Sequence, residues 1–274
     1  MLQRTLSTFA LWGIISLCVY FFGPTGGIWL IAAVAALTLR EFYVLIEKLG
    51  VKVFNRCGIA FALLIMLAPW ALEPYTPFRA EMLLALAVVV FSLRILGERE
   101  PHNRVETLGW SLFGVLYVPF MLHYLVRIIL LHGPTTNTGM VLCLWVIAAS
   151  KFCDTGALLC GMAFGRHKMS PQISPKKTWE GAVGGVVISA GVSAGFAALF
   201  AQYLPANFTP LIAAAMAVPI AIIAIVSDLI ESVIKRRADI KDTGKAIPGI
   251  GGIFDLSDSL ILTAPVGYAL LLLL

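Results

Sequence analysis

Charge is what this sequence lacks most. Asp, Glu, Lys and Arg make up 13% of the 274 residues, against about 25% in an ordinary soluble domain. The apolar fraction is 59%, against about 45–50%. So few charges cannot cover a soluble surface of this size, which excludes a water-soluble globular protein. Histidine and cysteine are scarce too. The four histidines show no metal-ligand spacing, and the five cysteines (Cys18, Cys57, Cys143, Cys153, Cys160) are odd in number and contain no CxxC pair. That argues against zinc and against a disulfide framework, and for small buried thiols. The alternation of apolar and polar residues that a membrane β-barrel needs is missing as well. No long soluble insertion, low-complexity tract or obvious internal repeat interrupts the chain.

What is present instead is a series of continuous apolar runs near twenty residues long. They predict an all-α, polytopic integral membrane protein, since helices satisfy their own backbone hydrogen bonds in lipid. About nine transmembrane helices are expected, over 5–22, 26–46, 56–72, 80–97, 108–131, 139–161, 180–203, 208–230 and 256–274. The first run, behind Arg4, lacks a clear small-x-small cleavage site and reads as a retained anchor. Basic residues follow the even-numbered spans: Lys48, Lys52 and Arg56; Arg94, Arg99 and Arg104; Arg166, Lys168, Lys176 and Lys177; Lys235, Arg236, Arg237, Lys241 and Lys245. The alternate loops carry only Arg79. This asymmetry predicts a cytoplasmic amino terminus, an inner-membrane protein and a carboxyl terminus outside. The net charge of +5 then reflects cytoplasmic loops near anionic head groups, not nucleic-acid binding. Two halves follow: amino-terminal helices over 1–135 for lipid access and oligomer contacts, and a catalytic region with cytoplasmic loops over 136–274.

The remaining charges fall where an anchor has no use for them. Lys151 and Asp154 lie inside one apolar run. Each charge at a helix centre costs about 2.5–3.5 kcal/mol, against about 0.5 kcal/mol returned by a leucine. Their i, i+3 spacing lets them pair on one face, either as a packing ion pair or as part of a polar pocket. Gly156, Gly161 and Gly165 permit close approach of a neighbouring helix. In the following loop, Pro171 and Pro175 hold the chain extended. Lys176 and Lys177 come just before a helix starting near Thr178 and Glu180, a combination suited to an anion. Asp228, Glu231, Ser232, Lys235 and Arg236 form one polar stripe at i, i+3, i+4, i+7 and i+8. It reads as an active-site wall or as an amphipathic helix end at the head groups.

Next comes ADIKDTGKAIPGIGGIFDLSDS. Asp255 and Asp258 sit at i, i+3 in the first turn of the last helix. Capping explains one of them; two, with a second carboxylate-bearing helix end, suit Mg²⁺, which takes hard oxygen ligands and substrate phosphates. Gly249, Gly251 and Gly252 let backbone N–H groups approach an anion, although this is not a P-loop. Carboxylates, cations and membrane walls together fit a nucleotide reacting with a lipid phosphate. The lipid phosphate is already a nucleophile, so positioning and charge neutralisation carry the catalysis. The residues do not choose CTP over another nucleotide.

The segment SVIKRRADIKDTGKAIPGIGGIFDLSD resembles the signature of the phosphatidate cytidylyltransferases, the CDP-diacylglycerol synthases. The pattern falls on Ser232, Lys235, Arg236, Lys241, Asp242, Pro248, Gly249, Gly251, Gly252, Asp255 and Asp258. DTGALLCGMAFGR and SPKKTWEG, at Asp154–Arg166 and Ser174–Gly181, also resemble family segments. The likeness covers roughly residues 145–265. It implies transfer of CMP from CTP to phosphatidic acid with release of pyrophosphate. It also implies Mg²⁺, alongside which a second cation such as K⁺ would fit, and a homodimer in contact with membrane lipids. Metal ligation carries over to Asp228 and Asp255, with Asp258 in support, and Lys235 joins them as catalytic. Phosphate contacts carry over to Lys176, Lys177, Lys235, Arg236 and Lys241. Asp154, Ser174, Glu180, Ser232, Asp242, Gly251 and Gly252 complete the expected substrate-binding set.

The sequence departs from the family pattern in several places. Ile250 replaces a histidine, Leu256 an arginine, Ser257 an apolar residue, Ser227 a glycine and Leu158 an aromatic. A polar side chain at 250 or 256 is therefore not needed for the expected reaction. A lipid or polyprenol kinase, a non-catalytic relative and an ion-coupled transporter are the competing readings. Against the transporter, the polar residues gather in the carboxyl-terminal half and not in paired halves with broken midplane helices.

Overall fold

In the computed structural model, residues 2–72, 79–98, 104–133, 136–240, 242–244 and 251–274 are described. The elements are α1 Leu2–Lys48, α2 Asn55–Leu72, α3 Ala80–Leu96, α4 Arg104–Val115, α5 Met121–Leu130, α6 Asn137–Phe164, strands β1 Lys168–Ser170 and β2 Ser174–Thr178, α7 Trp179–Leu199, α8 Pro210–Arg237 and α9 Ile253–Leu271. Among the described residues, seven helical segments are long and apolar enough to cross a membrane, and the chain is a multi-pass membrane protein. At 21 residues, α7 measures about 31 Å, close to the ~30 Å hydrocarbon core.

Two of the nine expected spans stand apart from those seven. The apolar run over 5–22 is helical, and it is set off from the next run by a kink at Gly23. Its φ of 56° lies in the left-handed region, open to glycine because it has no Cβ, and Pro24 restarts the helix. The run over 80–97 forms α3, which has 17 residues and is about 26 Å long.

Proline shapes two more elements. Pro119 sits in a π turn, Leu116–Phe120, joining α4 to α5; the wider turn accommodates a residue that has no N–H to donate. Pro171 lies in the turn between β1 and β2, and Pro175 within β2. The strands pair antiparallel, Lys168 with Thr178 and Ser170 with Ser174.

The chain packs as two units, Met1–Val126 with Arg237–Ser257, and Arg127–Arg236 with Asp258–Leu274. These are drawn differently from the halves 1–135 and 136–274. In the first unit, Tyr43 is fully buried and donates to Ser111 O at 2.6 Å, while Ser111 Oγ accepts from Phe54 N at 2.9 Å. Gly58 and Gly114 lie so close to the Tyr43 ring that a Cβ on either would collide with it. Phe42 packs against Trp110, Phe113, Tyr117 and Phe254.

In the second unit, α6 and α7 form the most extensive helix pair. A Cβ added at Gly185 would stand 2.7 Å from Cys153 O, and one at Gly181 2.7 Å from Ala157 O. Small residues thus let the two backbones touch, the usual way helices associate where lipid removes the hydrophobic drive. On the opposite side of α7, Val183 and Val187 are 63% and 65% exposed, as suits a face turned to acyl chains.

Candidate active site

The second unit gathers the intramembrane charges of α6, α8 and α9. Asp228 and Glu231 of α8 and Asp258 of α9 each offer one carboxylate oxygen, all within 4.8 Å of one another. Glu231 is fully buried and Asp258 nearly so. Like charges that close repel by about 3–4 kcal/mol per pair at an effective dielectric of 20, so the trio needs cations. Lysines supply part of that need. Lys235 reaches Glu231 at 2.8 Å, one helical turn along α8. Lys177 of β2 reaches Asp228 at 2.7 Å. Lys151 of α6 lies 3.4 Å from Asp258 and 3.6 Å from Asp154, and donates to Ser259 Oγ at 2.7 Å. The first turns of α9 are further tied by Ser259 N to Asp258 Oδ1 at 2.6 Å and by the hydroxyl of Ser227 to Asp258 O.

The donor set is all hard oxygen, with no imidazole or thiolate, which suits Mg²⁺ better than zinc. Of the carboxylates expected at the metal, Asp228 and Asp255 with Asp258 in support, this group holds Asp228 and Asp258. Glu231 joins them; it was visible in the polar stripe but not assigned to the metal, because its neighbours on α9 lie 27 residues further on.

Beside Asp228 opens a groove of about 470 Å³ lined by Asp154, Gly161, Lys168, Lys176, Lys177, Thr178 and Asp228, with Leu158, Met162 and Met169 as apolar wall. The β1–β2 hairpin supplies its three lysines. Thr178 caps α7, its Oγ1 accepting from Gly181 N at 3.2 Å. Glu180, expected at the substrate, accepts from the backbone N–H of Arg166 and His167 at 3.1 and 3.2 Å and pairs with His167 Nδ1 at 2.5 Å. It fastens the base of the hairpin and thereby sets where the lysines stand. Arg236 donates from Nε to Ile173 O in the hairpin turn at 3.3 Å. Ser174 opens β2, and Ser232 is half-buried on α8.

In the first unit, Asp255 occupies the first turn of α9. Its Oδ2 accepts from Gly252 N at 2.7 Å and from Thr243 N and Oγ1, both at 3.0 Å. The N–H of Gly252 thus meets the protein's own Asp255 carboxylate. Gly251 holds φ 129°, a conformation that side chains disfavour. Asp242 is exposed. Lys241, Pro248, Gly249 and Ile250 lie outside the described residues. The sequence reading missed Glu41 of α1, whose Oε2 accepts from Phe254 N at 2.9 Å and Thr243 Oγ1 at 3.1 Å. Its one signal was an unneeded carboxylate inside a long apolar run.

Known proteins resemble the chain along its length. A protein of Synechocystis named phosphatidate cytidylyltransferase is 30% identical over 266 residues, covering 89% of this chain and 87% of the relative. One of the same name from Rickettsia felis is 36% identical over 169 residues, 59% of this chain and 70% of the relative. Another from Mycobacterium bovis is 32% identical over 178 residues, 65% of this chain; the match spans 55% of that longer protein. A model described as the cytidylyltransferase family matches residues 2–274. That match takes in the carboxylate trio, the lysine-lined groove and the glycine-rich segment alike, and the chain belongs to the cytidylyltransferase family.

Proposed function

We propose that the chain is a phosphatidate cytidylyltransferase. It joins CMP from CTP to phosphatidic acid, giving CDP-diacylglycerol and pyrophosphate in phospholipid biosynthesis. The observation that carries this reading is the carboxylate trio Asp228, Glu231 and Asp258 beside a groove lined by three lysines, in a chain similar to proteins of that name. Asp228, Glu231 and Asp258 would hold Mg²⁺, which when bound neutralises triphosphate charge and polarises the phosphorus under attack. Lys168, Lys176 and Lys177 take phosphate charge as charge-assisted donors. A phosphate oxygen of the lipid attacks the α-phosphorus of CTP, the α–β phosphoanhydride bond breaks, and pyrophosphate leaves with its electron pair. No general base is needed, because the nucleophile is already anionic.

Lys151 and Lys235 do not need to touch substrate. They pair with Asp258 and Glu231 and hold those carboxylates in place, as positioning demands. Asp255 keeps the catalytic role that the resemblance implies. Ser174, Ser232, Arg236 and Lys241 are proposed to surround the nucleotide, with a second cation such as K⁺ beside Mg²⁺. The basic loops would face the cytoplasm from the inner membrane of a homodimer.

The test is direct. Protein purified in detergent receives labelled CTP, phosphatidic acid and Mg²⁺. CDP-lipid and pyrophosphate are the expected products, abolished by EDTA and restored by excess Mg²⁺. Transfer of the terminal phosphate would mark a lipid kinase, and no product with any lipid phosphate would sink the reading.

A further inference from the structure

Asp255 is held from a helix more than two hundred positions away in the chain. Glu41, in the second half of α1, accepts from Phe254 N, the residue beside Asp255, and from the hydroxyl of Thr243. That same hydroxyl faces Asp255 Oδ2 at 3.0 Å. One turn away on each helix, Thr38 Oγ1 lies 2.8 Å from Ser257 Oγ, and Ser257 in turn donates to Ile253 O at 3.0 Å. Thr38 and Glu41 are i, i+3 on α1, as Phe254 and Ser257 are on α9, so two rungs join the helices on one face. Both hydroxyls of the upper rung are buried.

Two glycines make room for Glu41. A Cβ on Gly252 would collide with its Oε2, and a Cβ on Gly244 would stand 2.9 Å from its Oε1. No side chain could replace them while this carboxylate stays where it is. The open space at Gly244 and Gly252 therefore serves a protein carboxylate, and the single hydroxyl proton of Thr243 lies between that carboxylate and Asp255 Oδ2.

We infer that Glu41 is a positioning residue: its carboxylate, reaching from α1, fixes Thr243 and the start of α9 so that Asp255 is presented in one orientation. The inference rests on the proposed reaction for its effect on turnover, and on the hydrogen bonds alone for its effect on local order. Glu41 acts as the acceptor of these two hydrogen bonds. An amide oxygen in its place could accept the same two bonds.

The experiment compares Glu41→Ala and Glu41→Gln with the wild type in detergent, by steady-state kinetics with CTP and phosphatidic acid and by amide hydrogen exchange. Glu41→Ala is expected to lower kcat by about tenfold to a hundredfold, as a misplacement near 1 Å does, with KM for CTP within about threefold. Exchange should accelerate over 251–258 but not over α3. Glu41→Gln should restore protection and most of the turnover. Wild-type kcat and protection in Glu41→Ala would overturn the inference. So would a Glu41→Gln variant as impaired as Glu41→Ala, since charge and not acceptor geometry would then be at stake. Should Glu41→Ala not accumulate, Thr243→Val decides, because it removes the hydroxyl between Glu41 and Asp255 and leaves the Phe254 N and Thr243 N bonds: a kcat about tenfold lower supports the inference, and an unchanged kcat overturns it. If the wild type makes no CDP-lipid, the proposed reaction fails, and exchange over 251–258 alone decides the role of Glu41.

Discussion

Lys177 of β2 and Asp228 of α8 meet at 2.7 Å, at the edge of a groove that both of them line. Each is part-exposed, so the pair can open when a phosphate competes for the lysine. Lys177→Met should lower kcat/KM for CTP by about tenfold to a hundredfold, the worth of one hydrogen bond to a charged group, and Lys177→Arg should restore only part of it. Asp228→Asn should lower kcat by at least about a hundredfold, while the protein still inserts and elutes as the wild type does. Near-normal turnover in Asp228→Asn would end the metal assignment.

Glu231 is fully buried against Lys235. Glu231→Gln breaks this buried ion pair and should destabilise the protein by about 3–5 kcal/mol, besides abolishing activity. Replacing both, as Glu231→Leu with Lys235→Met, should recover much of the stability and none of the activity. Thermal unfolding in detergent, alongside the CTP assay, separates the two effects. A double variant as unstable as the single one would mean that packing, and not the charge pair, is responsible.

The α6–α7 contact depends on glycine. Gly185→Leu drives a side chain into Cys153 O and Ala157 and should cost about 1–3 kcal/mol or more as overpacking. Gly191→Leu, where a Cβ would meet nothing within 4 Å, should be close to neutral. Equal melting temperatures for the two variants would refute the close approach.

Outside the membrane, Glu98 accepts from Lys52 at 2.9 Å. That hydrogen bond, helped by the charges of Lys52, Arg94 and Arg104, holds its carboxyl below the ordinary glutamate value. A lowered folded pKa stabilises the fold above the unfolded carboxylate pKa, and the effect is lost as pH falls through the folded value. The difference in melting temperature between wild type and Glu98→Gln should therefore be small near neutrality, shrink in high salt and vanish in acid. A difference that grows on acidification would contradict this sign.

Much of this protein could be read from residue order. The apolar runs predict the helices because a segment crossing lipid must satisfy its own backbone. Asp154, the stripe from Asp228 to Arg236 and the Asp255–Asp258 pair stood out because each charge there costs more than an anchor would tolerate. Pro175 marked an extended stretch, which forms β2, whereas Pro171 falls in the turn; Thr178 marked the start of α7. These are local signals, set by spacing along one helix or turn.

Contacts between distant segments were not legible in the same way. That Glu231 completes a carboxylate trio depends on how α8 meets α9. That Glu180 fastens the hairpin depends on where the chain doubles back. Glu41 stands beside Arg40 in an apolar run, and only the packing of α1 brings it to Phe254 and Thr243. Sequence by itself determined the class of molecule, the helices and the residue types of the chemistry, because lipid imposes burial costs on each segment separately. Tertiary structure alone decided which of those residues meet, because hydrogen bonds and ion pairs depend on distances between helices that no single segment encodes.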